Sequence, residues 1–214
     1  MATLRRIAIY LVAAIIGIAL GLASAVYFAG LWPGAKPLDF GDVSIDGWNS
    51  DFAIGSEAAD PYTRARIARH GLLALAKSEA VYFTRTVDDE GERLTEDCRY
   101  RLTVGAMPAE WWSITLYDAN SMLPMNDDGP LSINANQDAV AVLPDGEVLG
   151  QGVQAIIAPE RPDSPSLWLS SRNAGTFDLT LRLYVPEDTL LTSPEETLDA
   201  PSVQRIDCAP KVSE

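Results

Sequence analysis

From Ile7 to Leu31 the chain runs 25 residues without a charged side chain. A helix rising about 1.5 Å per residue crosses the roughly 30 Å hydrocarbon core of a bilayer at this length, with some tilt. So long an apolar run, with no polar face, is not the pattern of a helix buried in a soluble core. Arg5 and Arg6 precede it, and no acidic residue occurs before Asp39. That asymmetry keeps the N-terminus on the cytoplasmic side and exports the chain beyond Leu31. Tyr27 and Trp32 stand where amphipathic aromatics mark the outer interface. Residues 1–6 therefore read as a cytoplasmic N-terminus and 7–31 as a single transmembrane signal anchor. Ala23-Ser24-Ala25 also fits a cleavage site, so a removed signal peptide stays open as the alternative. The apolar run is longer than an ordinary signal core and continues past that site through Val26-Tyr27-Phe28, which favours the anchor.

Export gives the two cysteines a meaning. Cys98 and Cys208 both lie beyond the anchor, and an even pair in an oxidising compartment reads as a disulfide; two separate buried thiols would suit a reducing one. With Arg5 and Arg6 left at the N-terminus, the exported part holds 30 acidic against 14 basic residues, a net charge of −16. Such a surface repels nucleic acid, so no nucleic-acid partner is expected.

Residues 32–52, with Pro33, Gly34, Pro37, Gly41 and Gly47, read as a tether with a short edge strand around Val43–Ile45. The exported domain then occupies 53–214. Asp60-Pro61 opens a helix, since Asp caps well and Pro suits the first helical position. Ile67, Leu72, Leu75, Ala76 and Ala80 give that helix a buried stripe. Beyond Ala80 the period changes to two, through strands at Val81–Val87, Cys98–Val104, Trp112–Tyr117, Leu131–Asn134, Ala139–Leu143, Val153–Ala158, Ser166–Ser170 and Phe177–Val185. Asp88-Asp89-Glu90-Gly91, Asp127-Asp128-Gly129, Pro144-Asp145-Gly146 and Asn173-Ala174-Gly175 supply turns. The fold class is mainly β: a jelly-roll-like β-sandwich with one packed helix, behind the N-terminal transmembrane helix. The tail from Pro186 is expected to wrap the surface irregularly until the disulfide fixes it at Val203–Cys208.

Chemistry is sparse. His70 is the sole histidine, which excludes a multi-histidine metal site, and no serine sits in GxSxG. No metal site and no cofactor is expected. Asp118, Asp127 and Asp128, with Asp138 further on, are the candidates for carboxylate catalysis; the plain alternative is turn chemistry. Trp111 and Trp112 are neighbours on a strand, so they face opposite sides and one of them needs a cover, a groove or solvent. Cover by the Asp60 helix is the plain reading; otherwise Trp111 or Trp112, with Tyr117, Trp168 and Arg182, could make a binding platform.

Trp111-Trp112-Ser113-Ile114-Thr115-Leu116-Tyr117-Asp118, taken with Phe177-Asp178-Leu179-Thr180-Leu181-Arg182-Leu183-Tyr184-Val185-Pro186, resembles domain of unknown function 1214. The Asp60-Pro61-Tyr62 helix start and Glu79-Ala80-Val81-Tyr82-Phe83 agree with it. The resemblance implies a bacterial, jelly-roll-like β domain, often beside a companion domain whose place the membrane segment takes here. It carries no catalytic set. Where the family has Asn-Trp-Leu-Pro, this chain has Leu167-Trp168-Leu169-Ser170. The expected protein is anchored in the inner membrane with its C-terminal domain in the periplasm, where it binds an envelope ligand or protein. The alternative is a carboxylate-based hydrolase acting on envelope glycans.

Overall fold

The computed structural model describes residues 2–32, 42–52, 54–56, 59–69, 75–137, 152–163 and 167–209. The chain divides into two compact units, residues 1–39 with 57–74 and residues 40–56 with 75–214.

The first unit holds two helices. Helix α1 (Ala2–Phe28) leaves Ile7, Leu11, Ile15, Ile18 and Leu22 each more than half exposed. A helix that is apolar on every side, with none of its most apolar stretch buried, is long enough and apolar enough to cross a membrane. Helix α2 (Pro61–Arg69) starts as the sequence predicts. The Asp60 carboxylate accepts from the N–H groups of Tyr62 (2.8 Å) and Thr63 (3.3 Å) and from the Thr63 hydroxyl (2.6 Å). These bonds, the Thr63 hydroxyl foremost, hold Asp60 below the usual carboxylate range.

This helix falls in the first unit. One expectation about it is corrected: the helix does not follow its apolar stripe as far as Ala80. Residues 77–79 form a turn, and Ala80 opens a strand. The Ala76 carbonyl accepts from Glu79 N–H (2.7 Å) and Ala80 N–H (2.9 Å), while Ala76 N–H donates to the Glu79 carboxylate (3.0 Å). The Glu79 carboxylate thus takes the Ala76 N–H that a helix continuing through this point would use in its own ladder. His70, Gly71 and Leu72 lie outside the described residues.

The second unit is built on two sheets. Strands β1 (Val43–Ile45), β2 (Trp48–Ser50), β3 (Ala80–Arg85), β5 (Ala109–Asp118), β6 (Ser132–Asn134) and β9 (Phe177–Pro186) form a six-stranded sheet in the order β1-β2-β3-β9-β5-β6. Strands β4 (Cys98–Val104), β7 (Val153–Ala158), β8 (Leu167–Ser170) and β10 (Ser202–Cys208) form a four-stranded sheet in the order β10-β4-β7-β8. Pairing is antiparallel throughout except for the parallel pair β7–β8.

Alternation decides the faces. On β9, Phe177, Leu179, Leu181 and Leu183 are fully buried, and on β4 so are Tyr100, Leu102 and Val104. Together with Val81, Phe83, Trp112, Ile114, Leu116, Ile157, Leu169 and Val203 they make one hydrophobic core between the sheets. Tyr100 meets Phe177 edge to face across it, with ring centroids 5.9 Å apart. The architecture is mainly β, two sheets around a sandwich-like core. Most predicted strands fall where the sequence puts them; Ala139–Leu143 lies outside the described residues.

The stretch from 43 to 50, inside the expected tether, holds the edge strand β1 and a second strand besides. Asp46 and Gly47 join them with positive φ at both (47° and 84°), as a two-residue hairpin turn requires. The tail is also more regular than expected. It forms two short helices, α3 (Asp188–Thr192) and α4 (Pro194–Thr197), with Leu190 inside α3 and Leu198 just past α4 seated in the core, and then β10. Strand β10 pairs with β4 from Ser202↔Thr103 to Cys208↔Cys98, and the two cysteines at its end are joined in a disulfide.

Candidate functional site

The same alternation that fills the core gives the six-stranded sheet a second face. On β5 that face carries Trp111, Ser113, Thr115 and Tyr117; on β9 it carries Asp178, Thr180, Arg182 and Tyr184; on β3 it carries Ala80, Tyr82 and Thr84. Register sets them in rungs. Trp111 lies opposite Tyr184, Ser113 opposite Arg182, Thr115 opposite Thr180 and Tyr117 opposite Asp178, while Tyr82 flanks Arg182 from β3. The Trp111 and Tyr184 rings, both half-buried, stand 5.2 Å apart at 58°. Val185, the next residue on β9, holds a φ of +49°. A β-branched residue in that region stores on the order of 1–3 kcal/mol of strain, and it lies where the strand leaves the Tyr184 rung.

Arg182 is the centre of the face. Its Nη2 donates to the Tyr117 hydroxyl (2.8 Å), and its guanidinium lies 5.4 Å from the centre of that ring. Among the described residues no carboxylate pairs with it. A half-buried guanidinium with donors to spare, set among Trp, Tyr and hydroxyl groups, is suited to take an oxyanion beside a flat ring. Tyr82, beside it, has its hydroxyl pushed above the ordinary range, first by burial.

Asp178 shares the face. Burial raises its carboxyl to about 7; the hydroxyl of Thr180, Arg93 and Arg182 pull the other way, and Asp118 adds to the rise. Above the unfolded value the denatured chain releases this proton while the native state keeps it. Its contribution is therefore fully present below the unfolded value and is lost as pH rises through about 7. Asp178→Asn is expected to stabilise the protein at pH 8 by on the order of 2 kcal/mol and to leave it unchanged at pH 4. Urea titrations at the two pH values measure this, and an equal effect at both would contradict it.

The remaining sequence candidates are dispersed. Trp112 is buried in the core. Trp168 belongs to the four-stranded sheet and donates its indole N–H to the Ala158 carbonyl (2.9 Å). The Asp118 carboxylate accepts from the N–H groups of Asn120 (2.8 Å) and Met122 (2.9 Å), which closes the turn after β5. Asp127 is exposed. Asp128 is ion-paired with Arg172 and accepts from the Ser170 hydroxyl (2.7 Å). Asp138 lies outside the described residues, among which no three His, Cys, Asp or Glu side chains gather as metal ligands would. The face therefore unites Trp111, Tyr117 and Arg182 from the sequence candidates and adds Tyr184, Tyr82 and Asp178. The signal for the added ones lies on β9: Asp178, Thr180, Arg182 and Tyr184 occupy four successive positions of one phase.

No curated protein matches the chain. Among solved structures it is similar to the VPA0106 protein from Vibrio parahaemolyticus, with a TM-score of 0.50 and 21% identity. The alignment covers 91% of this chain but 44% of that one, so this chain spans less than half the length of that protein. An uncharacterized protein from Burkholderia cenocepacia matches at a TM-score of 0.41 and 17% identity, covering 60% of this chain and 30% of that one. The first likeness is one of fold. A family model described as a protein of unknown function, DUF1214, matches residues 79–188, which include β3, β4, β5 and β9 and hence the whole polar face. The chain belongs to the DUF1214 family.

Proposed function

We propose that the protein is a single-pass inner-membrane protein, N-terminus in the cytoplasm, whose periplasmic β domain binds an envelope ligand on the β3–β9–β5 face. The observation that carries this reading is the Trp111–Tyr184 pair one rung from Arg182, which has no ionic partner among the described residues. Rigid aromatic faces supply contact area at little entropic cost, and a neighbouring cation fixes orientation. The uncharged helix behind Arg5-Arg6 and the Cys98–Cys208 disulfide support the placement.

Two measurements test it. Alkaline phosphatase fused after Glu214 should be active in whole cells; an inactive fusion of full length would overturn the topology. Muropeptides released from cell walls by a muramidase should quench tryptophan fluorescence of the detergent-solubilised chain saturably. Trp111→Ala should weaken them at least about tenfold, or 1.4 kcal/mol. Equal affinity in the variant would remove the face from the reading.

A hydrolase acting on envelope glycans has one observation in its favour, the carboxyl of Asp178 raised to about 7. Asp118, the acidic neighbour that adds to this rise, is engaged with two backbone N–H groups of its own turn. The binding reading therefore has the stronger support.

A further inference from the structure

Resting on the binding reading, we propose that the ligand of the β3–β9–β5 face is a small ring compound bearing one oxyanion, a carboxylate or phosphate, with the oxyanion held by Arg182 and the ring by Trp111 and Tyr184. Arg182 spends one nitrogen on Tyr117 (2.8 Å) and has no ion pair among the described residues. A half-buried guanidinium in this state keeps donors that an incoming oxyanion can take up in a charge-assisted contact. The rung spacing fits. Arg182 and Tyr184 are alternate residues of one strand, so their side chains stand some 7 Å apart, within the reach of a single sugar-sized molecule.

The sign of the surrounding charge sets the ligand's size. The whole chain carries a net charge of −14. That field repels a polyanion or an anionic bilayer, whereas a small ligand with one oxyanion group meets the local cation at short range.

Asp178 is an acidic side chain on the same face and would compete for Arg182 when ionised. The groups bearing on it are Thr180 and Arg182 on its own strand, Tyr117 and Asp118 on β5, and Arg93 on the chain between β3 and β4. With its carboxyl held to about 7, it stays uncharged through mildly acidic conditions and leaves Arg182 to the ligand. Affinity for a carboxylate ligand therefore falls as pH rises through neutrality.

The experiment compares N-acetylmuramic acid with its methyl ester, and glucose 1-phosphate with glucose, by fluorescence titration of the solubilised full-length chain. Wild type should bind at least one charged sugar about tenfold more tightly than its neutral partner, and the responding pair tells carboxylate from phosphate. Arg182→Gln should abolish that preference yet keep residual ring binding. Arg182→Lys should keep part of it, and serves also if the glutamine variant fails to fold. In the carboxylate arm, wild-type affinity should fall several-fold from pH 5.5 to 8.5, and Asp178→Asn should flatten the fall. Equal binding of charged and neutral sugars, still sensitive to Trp111→Ala, overturns the oxyanion and leaves the binding face standing. Absence of saturable binding by both charged sugars overturns the inference. Muropeptide binding indifferent to Trp111→Ala overturns the face itself.

Discussion

Arg85→Ala is expected to lower the unfolding free energy by about 3–4 kcal/mol, combining a large-to-small cavity with lost buried hydrogen bonds. Arg85 shares the inward phase of β3 with Val81 and Phe83 and is 2% exposed. Its three nitrogens are all engaged: Nε on the Val87 carbonyl (2.7 Å), Nη1 on the Pro201 carbonyl (3.1 Å) and Nη2 on the Asp89 carboxylate (2.7 Å). Trp48, fully buried, donates its indole N–H to the same Pro201 carbonyl (2.7 Å). One guanidinium thus ties together β3, the turn after it and the approach to β10. Arg85→Met separates the two contributions, since it refills the volume without the donors. It should cost about 1 kcal/mol, because Asp89 is well exposed and can turn to water. Urea unfolding of the solubilised chain, followed by tryptophan fluorescence, measures both. A loss below 1 kcal/mol for the alanine variant would show that the network is dispensable.

That network also marks where the sequence ceases to be legible. Strands β4 and β9 can be read because polar and apolar residues alternate without a break, as in Cys98–Val104 and Phe177–Val185. The hairpin of β1 and β2 is hidden in a stretch whose prolines and glycines read as linker. Its Asp46-Gly47 pair is nonetheless a strong two-residue hairpin signal. Helix α2 is legible at its cap and not at its end, because Leu75 and Ala76 keep the apolar spacing although they lie outside any helix. Spacing cannot register a turn closed by the Glu79 side chain. An inward-facing arginine on β3 breaks the polar-out pattern, and only the fold supplies its three acceptors.

The candidate site is half legible for a similar reason. Trp111, Tyr117 and Arg182 stand out by residue type, and alternation puts each on a definite side of its strand. Which strands lie side by side is not written in any one of them. Strands β3 and β9 are about a hundred residues apart, yet their pairing sets Tyr82 beside Arg182. Asp178 draws less notice in the sequence than aspartates in turns, where the residue type is common and solvated. Its raised carboxyl comes from burial, and burial is a property of the assembled face.

Loss of the Cys98–Cys208 disulfide is expected to cost about 2–4 kcal/mol in the Cys98→Ala/Cys208→Ala variant, with the native fold retained. The bridge closes a sequence separation of 110 residues, for which chain entropy alone gives roughly 4–5 kcal/mol. The realised value should be smaller, because a denatured chain with residual structure has less freedom to lose. In the native state β10 is held independently. Its register on β4 runs from Ser202 to Cys208, Val203 is buried in the core, Ala209 N–H bonds the Asp97 carbonyl (2.7 Å) and Arg99 pairs with Asp207. Reductant should therefore destabilise wild type by the amount the double variant has already lost and leave the variant unmoved. Cys98 and Cys208 peptides running separately on non-reducing mass mapping would dispose of the bridge. A loss under about 0.5 kcal/mol with the bridge intact would mean that strand pairing alone sets the tail. The larger loss would tie the fold to its compartment: a domain relying on this bond for a good part of a stability of roughly 5–15 kcal/mol is built for the oxidising side of the membrane.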